Sequence, residues 1–198
     1  VSIYKSVFTK ADKAEAQRHL NKAEQYYKKR KLTTALKEAY QAQDLDQNNP
    51  AIAEFFKKAD ADPAGAAAYN DLGVIYESAG MPDRAEECYL KALKFDPMLL
   101  SAYVNIALFY EKQRKLEKAE FYWSKRAELG SAENPWKKKA AERAKDIRTV
   151  LSSSPLADAR EEEILGLIKD VSKYKAAVNK NDKDLAMDHF DKAKQFFN

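Results

Sequence analysis

The side chains able to do acid–base, nucleophilic or metal chemistry are few in this chain and stand apart. Its two histidines, His19 and His189, lie near opposite ends of the sequence, with no acidic or cysteine ligands at metal spacing beside either. A zinc site needs three or four such donors converging on one point. The single cysteine, Cys88, precedes Tyr89 in a stretch patterned for packing, where a buried small side chain is the default reading. A reactive thiolate would need an electropositive, accessible setting, and one cysteine excludes an intramolecular disulfide. There is no Gly-rich phosphate loop and no nucleophile elbow. The three carboxylates of "REEEI", residues 160–164, fall near a helix start, where the helix dipole favours them without any catalytic role. The expectation is a protein without catalytic residues, metal or cofactor, and so not an enzyme.

The elements that carry these side chains follow from composition. With 45% hydrophobic residues but only 5 Gly and 6 Pro in 198 positions, the chain can bury a core while having few turn formers, which points to an all-helical protein. The net charge of +4 comes from signs mixed along the chain, as on solvated helix faces. A nucleic-acid binder usually shows a basic face. The nearest approach, "WKKKAAERAKDIR" at 136–148, is interrupted by Glu142 and Asp146, so no nucleic-acid partner is expected. No apolar run reaches the roughly 18 residues of a membrane span, and no signal-peptide pattern is present. These features favour a soluble, cytoplasmic protein. The start at Val1 without methionine leaves an exported or membrane-anchored full-length form open.

A fixed internal period organises the middle of the chain. In "AYNDLGVIYESAGMPDRAEECYLKALKFDPMLL", residues 68–100, the order is Tyr69, Leu72, Gly73, Tyr76, Ala85, Tyr89, Ala92 and Pro97. A shift of 34 residues lands on Tyr103, Ile106, Ala107, Tyr110, Ala119, Trp123, Arg126 and Ser131. Small residues at Gly73 and Ala85 let two helices approach, with the aromatics filling the space around them. Gly80 and Pro82 bracket the turn between those helices, and Pro97 ends the second.

This pattern resembles the tetratricopeptide repeat. The resemblance implies an all-α, right-handed superhelical solenoid of stacked antiparallel hairpins. Repeats are expected at 66–99 and 100–133, with a degenerate copy at 16–49 placed by Tyr26, Ala35 and Ala42. In that copy His19 takes an aromatic packing slot. Residues 1–15 are an apolar segment and the start of the first helix. Residues 50–65 are an inserted helix, about 51–60, and a linker with Pro63 and Gly65; that helix should interrupt the stacking, so that the solenoid bends or divides there. Residues 134–198 should form a helical cap, with Trp136, Ala140, Ala144, Ile147 and Leu151 on one amphipathic face and a worn hairpin beyond.

In the family resembled, the first helices of successive repeats line a concave groove for peptides or partner helices. Carried across residue by residue, the groove positions include Tyr27 in the worn copy, Asn70, Val74 and Glu77 in the best copy, and Val104, Asn105, Leu108 and Glu111 in the next. The expected function is a non-enzymatic scaffold that buries apolar partner side chains against Val74, Val104 and Leu108 while asparagines bond the partner backbone. The groove type that captures a chaperone's C-terminal carboxylate needs cationic residues, and the matching slots hold Leu20, Glu24, Asp71, Ser101 and Asn105, of which only Asn105 fits. Alternatives are a self-associating assembly protein, including a homodimer, or an accessory subunit or fragment of a larger envelope or enzyme complex. The first residues, "VSIYKSVF", either pack on the array or enter a groove, with packing within the same molecule favoured.

Overall fold

The structure is a computed structural model that describes residues 9–131 and 133–152. Among these residues the fold is all α, an array of helices α1 Lys10–Lys28, α2 Leu32–Leu45, α3 Pro50–Asp60, α4 Gly65–Ser78, α5 Pro82–Phe95, α6 Leu100–Lys112, α7 Leu116–Glu128 and α8 Pro135–Ser152. The expected hairpin beyond residue 152, with His189 and the carboxylates at 161–163, lies outside the described residues.

Local chemistry sets the helix ends. Thr9 and Asp12 form a reciprocal capping box on α1, with Asp12 N–H donating to Thr9 Oγ1 at 3.1 Å and Thr9 N–H to Asp12 Oδ2 at 2.8 Å. Asn49 and Asn134 cap α3 and α8, each followed by proline in the first turn. Three hairpins share one closing turn, in which Arg30, Gly80 and Arg114 adopt positive φ of 58°, 71° and 57°. In each, the next amide reaches back five residues to a tyrosine carbonyl at 2.9 Å: Lys31 to Tyr26, Met81 to Tyr76 and Lys115 to Tyr110. That bond belongs to the Schellman closure of a helix. It marks the same hairpin three times, including the degenerate copy.

Within each hairpin the small residues do the spacing. A Cβ on Gly73 would stand 2.6 Å from Tyr89 Cδ1 and Cε1, so α4 and α5 meet this closely only because position 73 lacks a side chain. Tyr40, Tyr69, Tyr89 and Tyr110 are fully buried around the small side chains, and each hydroxyl reaches a carboxylate: Glu87, Asp60, Glu77 and Glu86, at 2.6–2.9 Å. Burial of a phenol without such a partner would cost free energy.

The helix α3 shifts the phase of the array. It runs beside α1 in the same sense, since Lys58 Nζ meets Glu24 at 2.8 Å and Tyr27 Oη donates to Asp62 just past the end of α3 at 2.8 Å. The Tyr40 ring of α2 touches both Phe56 of α3 at 4.9 Å and Tyr76 of α4 at 6.0 Å, which requires α4 to fold back. Each helix therefore runs against its predecessor. One layer holds α1, α3, α5 and α7, joined by contacts such as Lys91 over Phe56 and Lys118 to Glu86 at 3.6 Å. The other holds α2, α4, α6 and α8. The helix expected at about 51–60 is present as α3, and α2 also packs directly on α4 beyond it. The leading helix α1 of the degenerate hairpin falls in the layer opposite α4 and α6.

Candidate functional interface

Two helices of the same repeat position, α4 and α6, lie side by side and in register. Asn105 Nδ2 donates to Asn70 Oδ1 at 2.9 Å, and Lys112 pairs with Glu77 at their far ends. On this face Val74 and Leu108, which occupy the same slot one repeat apart, are 43% and 41% exposed. Ala67 and Ser101 are exposed two turns toward the helix starts. The result is an apolar pair on a shelf whose neighbouring polar side chains are already engaged.

The remaining expected positions divide by geometry. Asn70 is buried, while Asn105 is half-buried and held by it. Val104 is half-buried and packs on the core, so it is a wall of the shelf more than an exposed contact. Glu77 accepts from Tyr89 Oη at 2.8 Å and from Lys112, and Glu111 accepts from Trp123 Nε1 at 2.5 Å and from Arg143. Each carboxylate thus joins its own hairpin to the following helix. Burial works against the charge on Glu111, but the Arg143 and Trp123 hydrogen bonds outweigh it and hold its carboxyl below the usual range. Tyr27 stands elsewhere: it packs edge-on against Phe55 under Lys58 and donates to Asp62, all on the α1–α3 side. The eight positions are not one continuous strip, because the inserted helix puts the first copy in the other layer.

Two side chains that sequence patterning missed belong to this face or its edge. Ile75 is 39% exposed, whereas Phe109 in the same slot of α6 is 1% exposed and packs against Tyr89. The covering neighbour differs: α5 precedes α6 and packs on it more extensively than α3, which precedes α4, packs on α4. Trp136 was expected in the packed face of α8 with Ala140, Ala144 and Ile147; those three are buried, but Trp136 is 42% exposed with Lys139 Nζ 4.5 Å from its ring centre. The Arg143–Glu111 pair sets the register of α8 on α6. A large aromatic preceding a lysine triplet was the available signal.

The other residues weighed for chemistry have structural surroundings. His19 Nδ1 lies 2.8 Å from Glu38 Oε2, half-buried between α1 and α2. Cys88 is buried, and burial pushes its thiol up to about 12. Among the described residues no group of three His, Cys, Asp or Glu is placed to hold a metal ion, and no helix is long and apolar enough to cross a membrane.

Comparison with known proteins agrees with this architecture. Tetratricopeptide-repeat profiles match residues 66–99 and 100–125. Residues 66–125 thus carry two tetratricopeptide repeats, a repeat type that builds protein-interaction scaffolds. The chain is 40% identical over 57 residues to the uncharacterized protein ycf37 of Pyropia yezoensis, a match covering 29% of this chain and 32% of that protein. The match thus spans about a third of that curated relative's length. A solved structure, the first tetratricopeptide-repeat domain of Spaghetti (RPAP3) bound to the HSP90 peptide SRMEEVD, aligns at a TM-score of 0.40 with 18% identity, covering 72% of this chain and 99% of that one.

Proposed function

We propose that the α4–α6 shelf binds a peptide or helix of a partner protein, without catalysis. The observation that carries this reading is the pair Val74 and Leu108: same slot, adjacent helices, both exposed, on a framework whose nearby carboxylates and amides are tied to one another. A partner would seat two apolar side chains on this pair, separated by about the 8–10 Å between packed helices. Asn105, oriented by Asn70, offers its carboxamide oxygen to the partner backbone. Trp136 extends the apolar surface toward α8.

The charges on the shelf favour a partner presenting apolar side chains over one presenting an acidic terminus. Of the slots that would clamp a terminal carboxylate, Leu20 is buried and Glu24 is paired with Lys58, both in the opposite layer. Asp71 on α4 would repel an anion. The test is capture of partners from the source cell by wild type and by Leu108→Glu, each checked for helical circular dichroism. The reading requires partners lost with the helical signal retained. Partners retained by a folded Leu108→Glu protein overturn it.

A further inference from the structure

We propose that the cleft between α1 and α3 is a second peptide-binding site, whose ligand inserts one large apolar side chain and places a lysine or arginine beside it. The cleft, about 430 Å³, has the size of a binding pocket, roughly 300–1,000 Å³. Leu20 and Phe55 form its floor, and Gln17, Asn21, Ala51 and Glu54 stand exposed along its rim. It opens from the layer opposite the Val74–Leu108 shelf, so this inference does not depend on partner binding there.

The register of α1 on α3 repeats that of α4 on α6. On the shelf, Asn70 meets Asn105 and Glu77 meets Lys112, both pairs 35 residues apart. Between α1 and α3, Tyr27 meets Asp62 across 35 residues and Glu24 meets Lys58 across 34. Each cleft position lies fifty residues before a shelf position, so the two grooves share their slots but exchange their polarity. Leu20 and Phe55 stand in the slots of Asn70 and Asn105, while the ion pair Glu24–Lys58, at 2.8 Å, stands in those of Val74 and Leu108. The apolar contact therefore lies deep, beside a neutralised pair. A ligand must reach it with one projecting side chain.

The charge of that ligand follows from what the cleft leaves open. Lys58 is engaged by Glu24 and lies over the Tyr27 ring, and Gln17 Nε2 donates to Asn21 at 3.0 Å. Glu54, in contrast, has a side chain 75% exposed, and its pairing with Lys57, at 4.0 Å, is at the outer limit of an ion pair. Its carboxylate is the charge of the lining that a cationic side chain would complete.

A display library of random dodecapeptides panned on the full-length protein tests this. Each clone is rechecked against Ala51→Arg, which fills the cleft and neutralises Glu54, and against Leu108→Glu, which spoils the shelf, both confirmed folded by helical circular dichroism. The expected result is a class of clones that Ala51→Arg abolishes and Leu108→Glu leaves unchanged, each with a large apolar residue beside a lysine or arginine. Synthetic peptides of that class should bind Glu54→Lys about tenfold more weakly than wild type, since an exposed attraction becomes a repulsion. Absence of a class lost on Ala51→Arg overturns the proposal, whatever the shelf binds. So does a class without the basic residue, or one indifferent to Glu54→Lys. Should Ala51→Arg fail to fold, Asn21→Trp, at an exposed position of α1, blocks the cleft in its place.

Discussion

The indole N–H of Trp123 donates to Glu111 at 2.5 Å across the α6–α7 hairpin. One repeat earlier Tyr89 does the same to Glu77, and in both cases a cation of the following helix, Arg143 or Lys112, completes the set. The same three-part link thus fastens a hairpin internally and to its neighbour. Glu111→Ala leaves the Trp123 N–H without its acceptor in a largely buried site, and should cost about 1–3 kcal/mol in urea-induced unfolding.

The same residue gives a pH dependence. The folded carboxyl of Glu111 titrates below its unfolded value of roughly 4.3, so its contribution is present above that value and is lost as pH falls through the lower folded one. The unfolding midpoint of wild type should drop as pH is taken from about 5 to 3. Glu111→Gln should show a shallower drop over that window, and parallel curves for the two proteins would contradict the assignment.

Arg30 and Arg114 hold the left-handed position that Gly80 holds in the best repeat. A side chain there costs roughly 1–2 kcal/mol in backbone strain. Arg114→Gly should therefore stabilise the protein by about 1 kcal/mol, and Gly80→Ala should destabilise it by a similar amount, both read from denaturation midpoints.

Position 73 tests the close approach of α4 and α5. The ring that a new Cβ would meet belongs to Tyr89, which is fully buried and anchored through Glu77, so it has little room to yield. Gly73→Ala is expected to cost about 1–3 kcal/mol by overpacking.

Leu108 and Val104 sit one helical turn apart and should separate binding from folding. Leu108→Glu places a charge in solvent and should leave the circular-dichroism melt within about 0.5 kcal/mol of wild type. Val104→Glu forces a carboxylate against the core and should lower stability by more than 1 kcal/mol.

What the sequence made legible was what repeats locally. Gly73, Ala85 and the tyrosines announced two helices at close quarters, and stepping back 50 residues located the worn hairpin whose turn at Arg30 matches that at Gly80. The role of Glu77 and Glu111 was hidden because their partners lie on other helices, 12 and 32–35 residues away. Spacing along one helix also could not tell that Val104 leans into the core while Leu108 points out. The segment at 50–65 was readable as a helix, but which layer its neighbours occupy depends on how many helices precede them, a property no local window contains.

That dependence makes α3 a parity element. Excising residues 50–64 would do more than shorten the molecule by a helix: with two helices instead of three before α4, the amino-terminal hairpin would return to the phase of its successors, turning it inside out. Leu20 and Tyr27 would then face the same side as Val74. A form lacking this one stretch would present a longer wall built from the same residues.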